Sequence, residues 1–251
     1  MNFIDTARHY GRGEAEARVG AAVRGRRDKV YLATKCGTLA CGGGRDFSRR
    51  SLLGSVETSL AKLGTDYVDV LMLHSAGASH LAAGSEAIET LLGLQQAGKA
   101  RFIGASLDGE VMWKALELDC LDVLQISYNL AELYVEEGFL AAAAQKQVGL
   151  VIKEPLAVGS FYRPNLQWSW VRHLWQRLQH YEFLKDESQI TAPEVALRFV
   201  LSEPRIHTAI AATSNIEHLE SNIALSDGRK LPDHLAAQIR ACYRKAVAEV
   251  G

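Results

Sequence analysis

The chain has 251 residues, 48% of them hydrophobic and 23% charged, enough to bury one sizeable core. Its 28 Lys and Arg stand against 29 Asp and Glu, and this balance of -1 excludes a general electrostatic reason to bind nucleic acid or an anionic membrane. Four cysteines (Cys36, Cys41, Cys120 and Cys242) are too few and scattered for a disulfide framework, and no Cys-x-x-Cys pair or histidine cluster joins them into a metal site.

Short runs dense in Val, Ile and Leu recur at residues 2–5, 29–35, 68–74, 101–105, 121–126, 149–154 and 207–211. Near-continuous apolar character of this kind suits parallel strands covered on both faces. Between them lie helices with readable ends. Ser48 caps a helix carrying Leu52, Leu53, Val56, Leu60 and Leu63 on one face, with Gly64 just beyond it. Thr191 and Glu194 have capping-box spacing, Pro193 lies in the first turn and Pro204 follows the stop. An insertion spans 159–190, and a last helix near 232–248 puts Leu235, Ile239, Cys242, Tyr243 and Val247 on one face. No Pro/Gly/Ser-rich linker divides the chain, so residues 1–251 are expected to form a single domain. No charged-then-apolar leader and no apolar run of the ~20 residues a bilayer span needs is present, which makes the cytoplasm the expected location.

Strict alternation of strand and helix predicts an α/β fold of the (β/α)8 barrel type. Seven strands are visible where closure needs eight, so an incomplete barrel with a C-terminal helix is expected. The doubly wound alternative lacks its Gly-x-Gly-x-x-Gly turn, which Gly11-Arg12-Gly13 does not supply. In a parallel barrel the carboxyl ends of all strands share one face. Asp5, Lys35 and His74 each close a predicted strand, and Tyr10 follows the first. A carboxylate, phenol, ammonium and imidazole at one mouth suit proton transfer to a carbonyl oxygen. Each alone has an ordinary structural explanation; four together on consecutive strand ends point to catalysis.

The sequence resembles the aldo-keto reductases from residue 2 to about residue 225. The resemblance is carried by Phe3-Ile4-Asp5-Thr6-Ala7 with Tyr10-Gly11, by Ala33-Thr34-Lys35, and by Ser59 through Asp69 running into Leu73-His74. Gly98 through Ser106, Gln125 through Asn129, and Thr213 through Asn222 continue it in the same order. It implies a barrel that lacks the family's first strand and helix. It also implies a nicotinamide coenzyme, NADP(H) or alternatively NAD(H), and a small carbonyl or alcohol substrate. The implied catalytic set is Asp5, Tyr10, Lys35 and His74, with Tyr10 as general acid. Implied coenzyme contacts are Ser106, Gln125 and Asn129 at the carboxamide, Lys153 beside the ring, and Thr213, Ser214, Asn215, His218 and Asn222 at the phosphates. Backbone N–H groups at a helix start also suit residues 213–215 to an anion, although ordinary capping explains them equally well.

Five positions depart from the family pattern, among them Lys153, which falls where many relatives place an aromatic that stacks on the nicotinamide ring. Leu107 replaces the Asn that usually follows the Ser, and Ala212 replaces a Gly. His218 stands where an Arg commonly meets the 2′-phosphate, and Ser221 where a Glu often precedes the Asn. Three functions compete: an active carbonyl reductase, a catalytically impaired relative acting as a binding or regulatory protein, and a Schiff-base lyase using Lys35 or Lys153. The aromatic residues Phe161, Tyr162, Trp168, Trp170, Trp175, Tyr181 and Phe183 of the insertion are expected to divide between helix packing and a specificity pocket. His80, His173, His180, His207 and His234 have no ligating spacing.

Overall fold

The computed structural model describes residues 2–40, 44–161, 169–186 and 190–250; Cys41, Tyr162, Trp168 and the side chain of Trp170 lie outside them. Strands β1 (Phe3–Asp5), β2 (Tyr31–Cys36), β3 (Val68–His74), β4 (Ala100–Ser106), β5 (Val123–Ser127), β6 (Gly149–Lys153) and β7 (Thr208–Ala209) follow one another in chain order, and their described pairings are all parallel. Helices α1 (Ala15–Val23), α2 (Arg49–Leu63), α3 (Glu86–Gln96), α4 (Val111–Leu116) and α5 (Phe139–Gln145) alternate with the first six strands, α6 (Arg172–Leu178) and α7 (Ala192–Ser202) both lie between β6 and β7, and α8 (Ile216–Ala224) and α9 (Asp233–Val250) follow β7. This is the (β/α)8 barrel type with seven strands among the described residues. No helix among those residues is long and apolar enough to cross a membrane. Contacts divide the chain into two compact units, one of Asn2–Ile126 with Ala143–Leu150, the other of Ser127–Ala142 with Val151 onward.

In the first unit, β3 is buried along six of its seven residues, because a parallel strand between two covered faces has no solvent side. Ser48 accepts from the Ser51 N–H at the start of α2, and Gly64 ends the helix with φ 65°. Leu52, Val56, Leu60 and Leu63 are buried as the periodicity requires, each fully buried Leu being worth roughly 1.5–3 kcal/mol. Leu53 departs from the expected face and is only half-buried, while Ser55 and Ser59 are inside. The Ser55 hydroxyl donates to the Leu52 carbonyl at 2.8 Å, which removes the cost of burying it.

Two glycines are dictated by close approach. A Cβ on Gly104 would sit 1.9 Å from the Val123 carbonyl oxygen of β5, and one on Gly20 would sit 2.5 Å from the Lys62 carbonyl oxygen of α2. Asp69 ties three strands together: it accepts from Arg27 at 2.7 Å, from Arg101 at 3.0 Å and from the Leu32 N–H at 2.8 Å.

In the second unit, Thr191 caps α7 by accepting from the Glu194 N–H, with Val195, Ala196, Phe199 and Val200 buried as expected. Helix α9 buries Ile239 and Tyr243, while Leu235, Cys242 and Val247 are half-buried. Strand β7 is shorter than its apolar run suggested, pairing with β6 through Val151–Thr208 and Ile152–Ala209. In the insertion, Tyr181 is buried and its hydroxyl donates to the Leu130 carbonyl, with Phe183 at a ring distance of 6.1 Å. Trp175 is half-buried on α6. Packing accounts for Tyr181.

Candidate active site

Alternation along β2 decides where its polar residues go. Thr34 faces α1, where its hydroxyl donates to the buried Glu16 at 2.7 Å, so Lys35 one residue later points to the other side of the sheet. There the Lys35 ammonium, fully buried, donates to Asp5 Oδ2 at 2.5 Å, to the Thr6 carbonyl at 3.1 Å and to the Tyr10 hydroxyl at 3.3 Å. Three partners match the three N–H bonds of an ammonium. The Lys35 nitrogen also lies 4.9 Å from the centre of the Tyr10 ring.

Tyr10 is placed by a tight turn. Its N–H donates to the Ala7 carbonyl at 3.0 Å, and Gly11, Arg12 and Gly13 all take positive φ (57°, 58° and 92°). Two of these three positions are glycine, which reaches that region without a Cβ clash; Arg12 is strained there.

Parallel register sets the next row. His74 lies opposite Ser106, and Ser106 opposite Gln125. The Ser106 hydroxyl donates to Gln125 Oε1 at 2.8 Å, and Gln125 Nε2 donates to Asp5 Oδ1 at 2.9 Å. Asp5 is therefore held on both oxygens, by Lys35 on one and Gln125 on the other. The Tyr10 and His74 rings are 6.0 Å apart at 87°. The first unit thus brings Asp5, Tyr10, Lys35, His74, Ser106 and Gln125 into one connected cluster.

His9, which the sequence patterns did not single out, belongs to the same cluster. Its ring lies 4.8 Å from that of Tyr10 and 4.9 Å from that of His74. Burial, and then the Lys35 charge, push its pKa below the ordinary 6.5, so it is neutral at pH 7. Only adjacency to Tyr10 in the chain could have signalled it.

The remaining predicted residues lie in the second unit. Lys153 ends β6, half-buried, and Glu154 after it turns the chain with φ 58° while accepting from the Ser127 hydroxyl at 3.0 Å. Asn129 is fully buried and closes a local turn, donating to Glu132 at 2.8 Å and accepting from the Ala131 N–H at 2.9 Å. Thr213, Ser214, Asn215 and His218 are exposed, and Asn222 is half-buried. Asn215 Oδ1 accepts from the N–H groups of Glu217 (2.8 Å) and His218 (3.4 Å), while the Asn215 N–H donates to the Thr213 hydroxyl oxygen at 3.1 Å. The start of α8 is capped by its own side chain. Among the described residues no group of three or more His, Cys, Asp or Glu is arranged to hold a metal ion.

The donor set of Gln125 and Ser106 fits a primary carboxamide. Each Gln125 amide atom makes one bond within the cluster, which leaves one N–H and one lone pair to face the complementary pair of a nicotinamide.

The aldo/keto reductase family model matches residues 1–244. Methylglyoxal reductase YeaE of Escherichia coli (strain K12) is 29% identical over 229 residues, covering 90% of this chain and 74% of that protein. An aldo-keto reductase of Bacillus halodurans, in its holo form, superposes with a TM-score of 0.81 at 25% identity, covering 96% of this chain and 82% of the other. An aldo-keto reductase of Klebsiella pneumoniae in complex with NADPH superposes with a TM-score of 0.76 at 29% identity, covering 97% and 80%.

Proposed function

The chain belongs to the aldo/keto reductase family, an NAD(P)-dependent oxidoreductase family, and from that premise we propose that it reduces an aldehyde or ketone to the alcohol with Tyr10 as the proton donor. The observation that carries this reading is the Tyr10 hydroxyl 3.3 Å from an ammonium that is itself fixed by Asp5. When bound, a reduced nicotinamide supplies hydride to the carbonyl carbon. The oxygen left behind then needs a proton, and the Tyr10 O–H gives it. The adjacent Lys35 charge stabilises the phenolate that forms, and Asp5 keeps that ammonium charged and aimed. His74 donates a hydrogen bond to the same oxygen as charge develops on it. The phenolate then recovers its proton from solvent.

Ser106 and Gln125 are assigned to the carboxamide and Lys153 to the ring. Thr213, Ser214, Asn215, His218 and Asn222 are assigned to the coenzyme phosphates. NADP(H) is the proposed coenzyme, supported by the NADPH-bound Klebsiella relative, and residues 1–251 act as one functional domain. His218 in place of an Arg keeps NAD(H) as the alternative, because an imidazole lacks the permanent charge and the fork of N–H donors with which a guanidinium grips a phosphate.

Tyr10→Phe tests the reading. Reduction, followed by loss of coenzyme absorbance, is expected to fall at least 100-fold, the scale of general acid catalysis, while titration of tryptophan fluorescence still reports coenzyme binding. A Phe variant with wild-type turnover removes Tyr10 from the mechanism.

A further inference from the structure

We infer that Glu16 is a positioning residue for the reaction: through Thr34 it fastens the turn that carries Tyr10 to the strand that carries Lys35, and so sets the contact on which the proton donor depends. This rests on the reductase proposal, because it takes the Tyr10 hydroxyl beside the Lys35 ammonium as the acid. The two members of that 3.3 Å contact are secured separately. Lys35 is fixed by Asp5 and the Thr6 carbonyl. Tyr10 opens a turn through three residues of positive φ, among them the strained Arg12, that leads directly into α1. A strained turn persists only where its surroundings hold it. Two bonds beyond Tyr10 do so. Lys62 of α2 donates to the Gly13 carbonyl at 2.6 Å, and Glu16, in the first turn of α1, accepts from the Thr34 hydroxyl at 2.7 Å. Lys62 ties the turn to a neighbouring helix, whereas Glu16 ties it to β2 one residue before Lys35. The second bond therefore closes a ring that runs from Tyr10 through the turn, Glu16, Thr34 and Lys35 back to Tyr10.

Energetics separate this role from simple packing. Glu16 is fully buried; its Oε1 has the Thr34 hydroxyl, while its Oε2 has no hydrogen-bond partner among the described residues. A carboxyl buried with one oxygen unbonded lowers stability relative to an apolar side chain of similar volume. Its place in the first turn of α1 offsets only part of that, through the positive end of the helix dipole. Glu16→Leu together with Thr34→Val fills similar space and leaves no polar side-chain atom to satisfy. What the polar link supplies and the apolar pair does not is direction, because a hydrogen bond fixes both distance and angle between α1 and β2. Reaction geometry is sensitive to that: a displacement of about 1 Å at a reacting group is enough to cost on the order of 100-fold in rate.

The test combines Glu16→Leu with Thr34→Val in the whole protein, beside Glu16→Gln, which keeps an oxygen for the Thr34 hydroxyl. Urea unfolding is followed together with kcat/KM for propanal and benzaldehyde at saturating NADPH across pH. The double variant is expected to unfold at the wild-type urea concentration or above it, while kcat/KM falls about tenfold or more. Its alkaline loss of activity, where Tyr10 gives up its proton, is expected to move about one unit higher in pH, because a phenol farther from the Lys35 charge is a weaker acid. The other groups facing Tyr10 are unchanged in every variant: His9 from its own loop, His74 from β3, and Asp5 behind Lys35. Glu16→Gln is expected to stay within a few-fold of wild type with the pH profile unmoved. A double variant with wild-type kcat/KM overturns the inference, as does one whose kcat/KM falls at an unmoved pH profile. So does one that loses stability and activity together or fails to fold, because Glu16 is then purely architectural, and so does a Glu16→Gln as impaired as the double variant. Wild type inert toward both aldehydes contradicts the reductase reading instead, and is distinguishable because it is seen before any variant is compared.

Discussion

The carboxyl ends of β1–β5 and the segment around α8 are both assigned to one reaction, yet they are built in opposite ways. In the first, Lys35, Ser106 and Gln125 are buried, and each polar group already bonds another of the set. In the second, Thr213, Ser214, Asn215 and His218 are exposed, no residue of α8 is buried, and Ile216 is 72% exposed. Groups that stabilise a transition state must be oriented before reaction, so they are held by the protein's own bonds. Groups that grip a charged coenzyme gain their order from the ligand and need only a backbone that presents them.

The contrast breaks most sharply at Lys35. Replacing it with Met leaves Asp5 a buried carboxylate without its cation, a loss on the order of 3–5 kcal/mol, and removes the charge beside Tyr10. Lys35→Met is therefore expected to lower both the unfolding midpoint in urea and kcat by at least 100-fold, whereas no substitution between 213 and 218 should do both. Equal stability of Lys35→Met and wild type would show that the cluster is not pre-formed.

The coenzyme segment answers to a different change. His218→Arg adds a fixed charge where the 2′-phosphate is assigned, and a charge-assisted bond of roughly 1.5–3 kcal/mol shifts the NADPH-to-NADH ratio of dissociation constants about tenfold or more toward NADPH. An unchanged ratio would move the phosphate away from α8. Asn215→Ala removes the side chain that accepts from the Glu217 and His218 N–H groups, and about 1 kcal/mol of stability is expected to go with it. Its kcat should stay within a few-fold of wild type, since the cap takes no part in proton transfer; a large kcat loss would erase the distinction between the two regions.

The smallest effect is a pH dependence. The folded-state pKa of His9 is lowered, first by burial and then by Lys35. The stability that goes with a neutral imidazole is present above about pH 6.5 and is lost as pH falls toward the folded value, because the unfolded chain takes up the proton first. The groups facing His9 are Tyr10 from its own loop, the Lys35 ammonium from β2 with Asp5 behind it, and His74 from β3. Between pH 7.5 and 5.5, thermal melts of His9→Phe should lose less stability than wild type, by about 1 kcal/mol at most. A parallel decline in both proteins would assign the acid sensitivity elsewhere.

Local features of the sequence carried much of the architecture. Apolar runs placed the seven strands to within a few residues, and Ser48, Gly64 and Thr191 marked helix ends, because capping and the apolar pattern of a parallel strand act over neighbouring residues. The strand ends also showed where Asp5, Lys35 and His74 would gather, since parallel strands bring their carboxyl ends together whatever lies between. Leu53 and Ser55 were less legible: a helix face is chosen by what packs on it, and a serine that bonds its own backbone can displace a leucine from the interior.

Only tertiary structure decided how the site is wired. Gln125 reaches Asp5 across 120 residues, and the link through Ser106 depends on the register of three strands, which no local propensity encodes. The same holds for His9. Its spacing in the chain is unremarkable, and it becomes part of the cluster because the turn at Tyr10–Gly13 and the end of β3 bring three rings together. Sequence determined which chemical groups this protein possesses and on which elements they stand. Packing determined which of them touch, because contact depends on register and close approach between segments far apart in the chain.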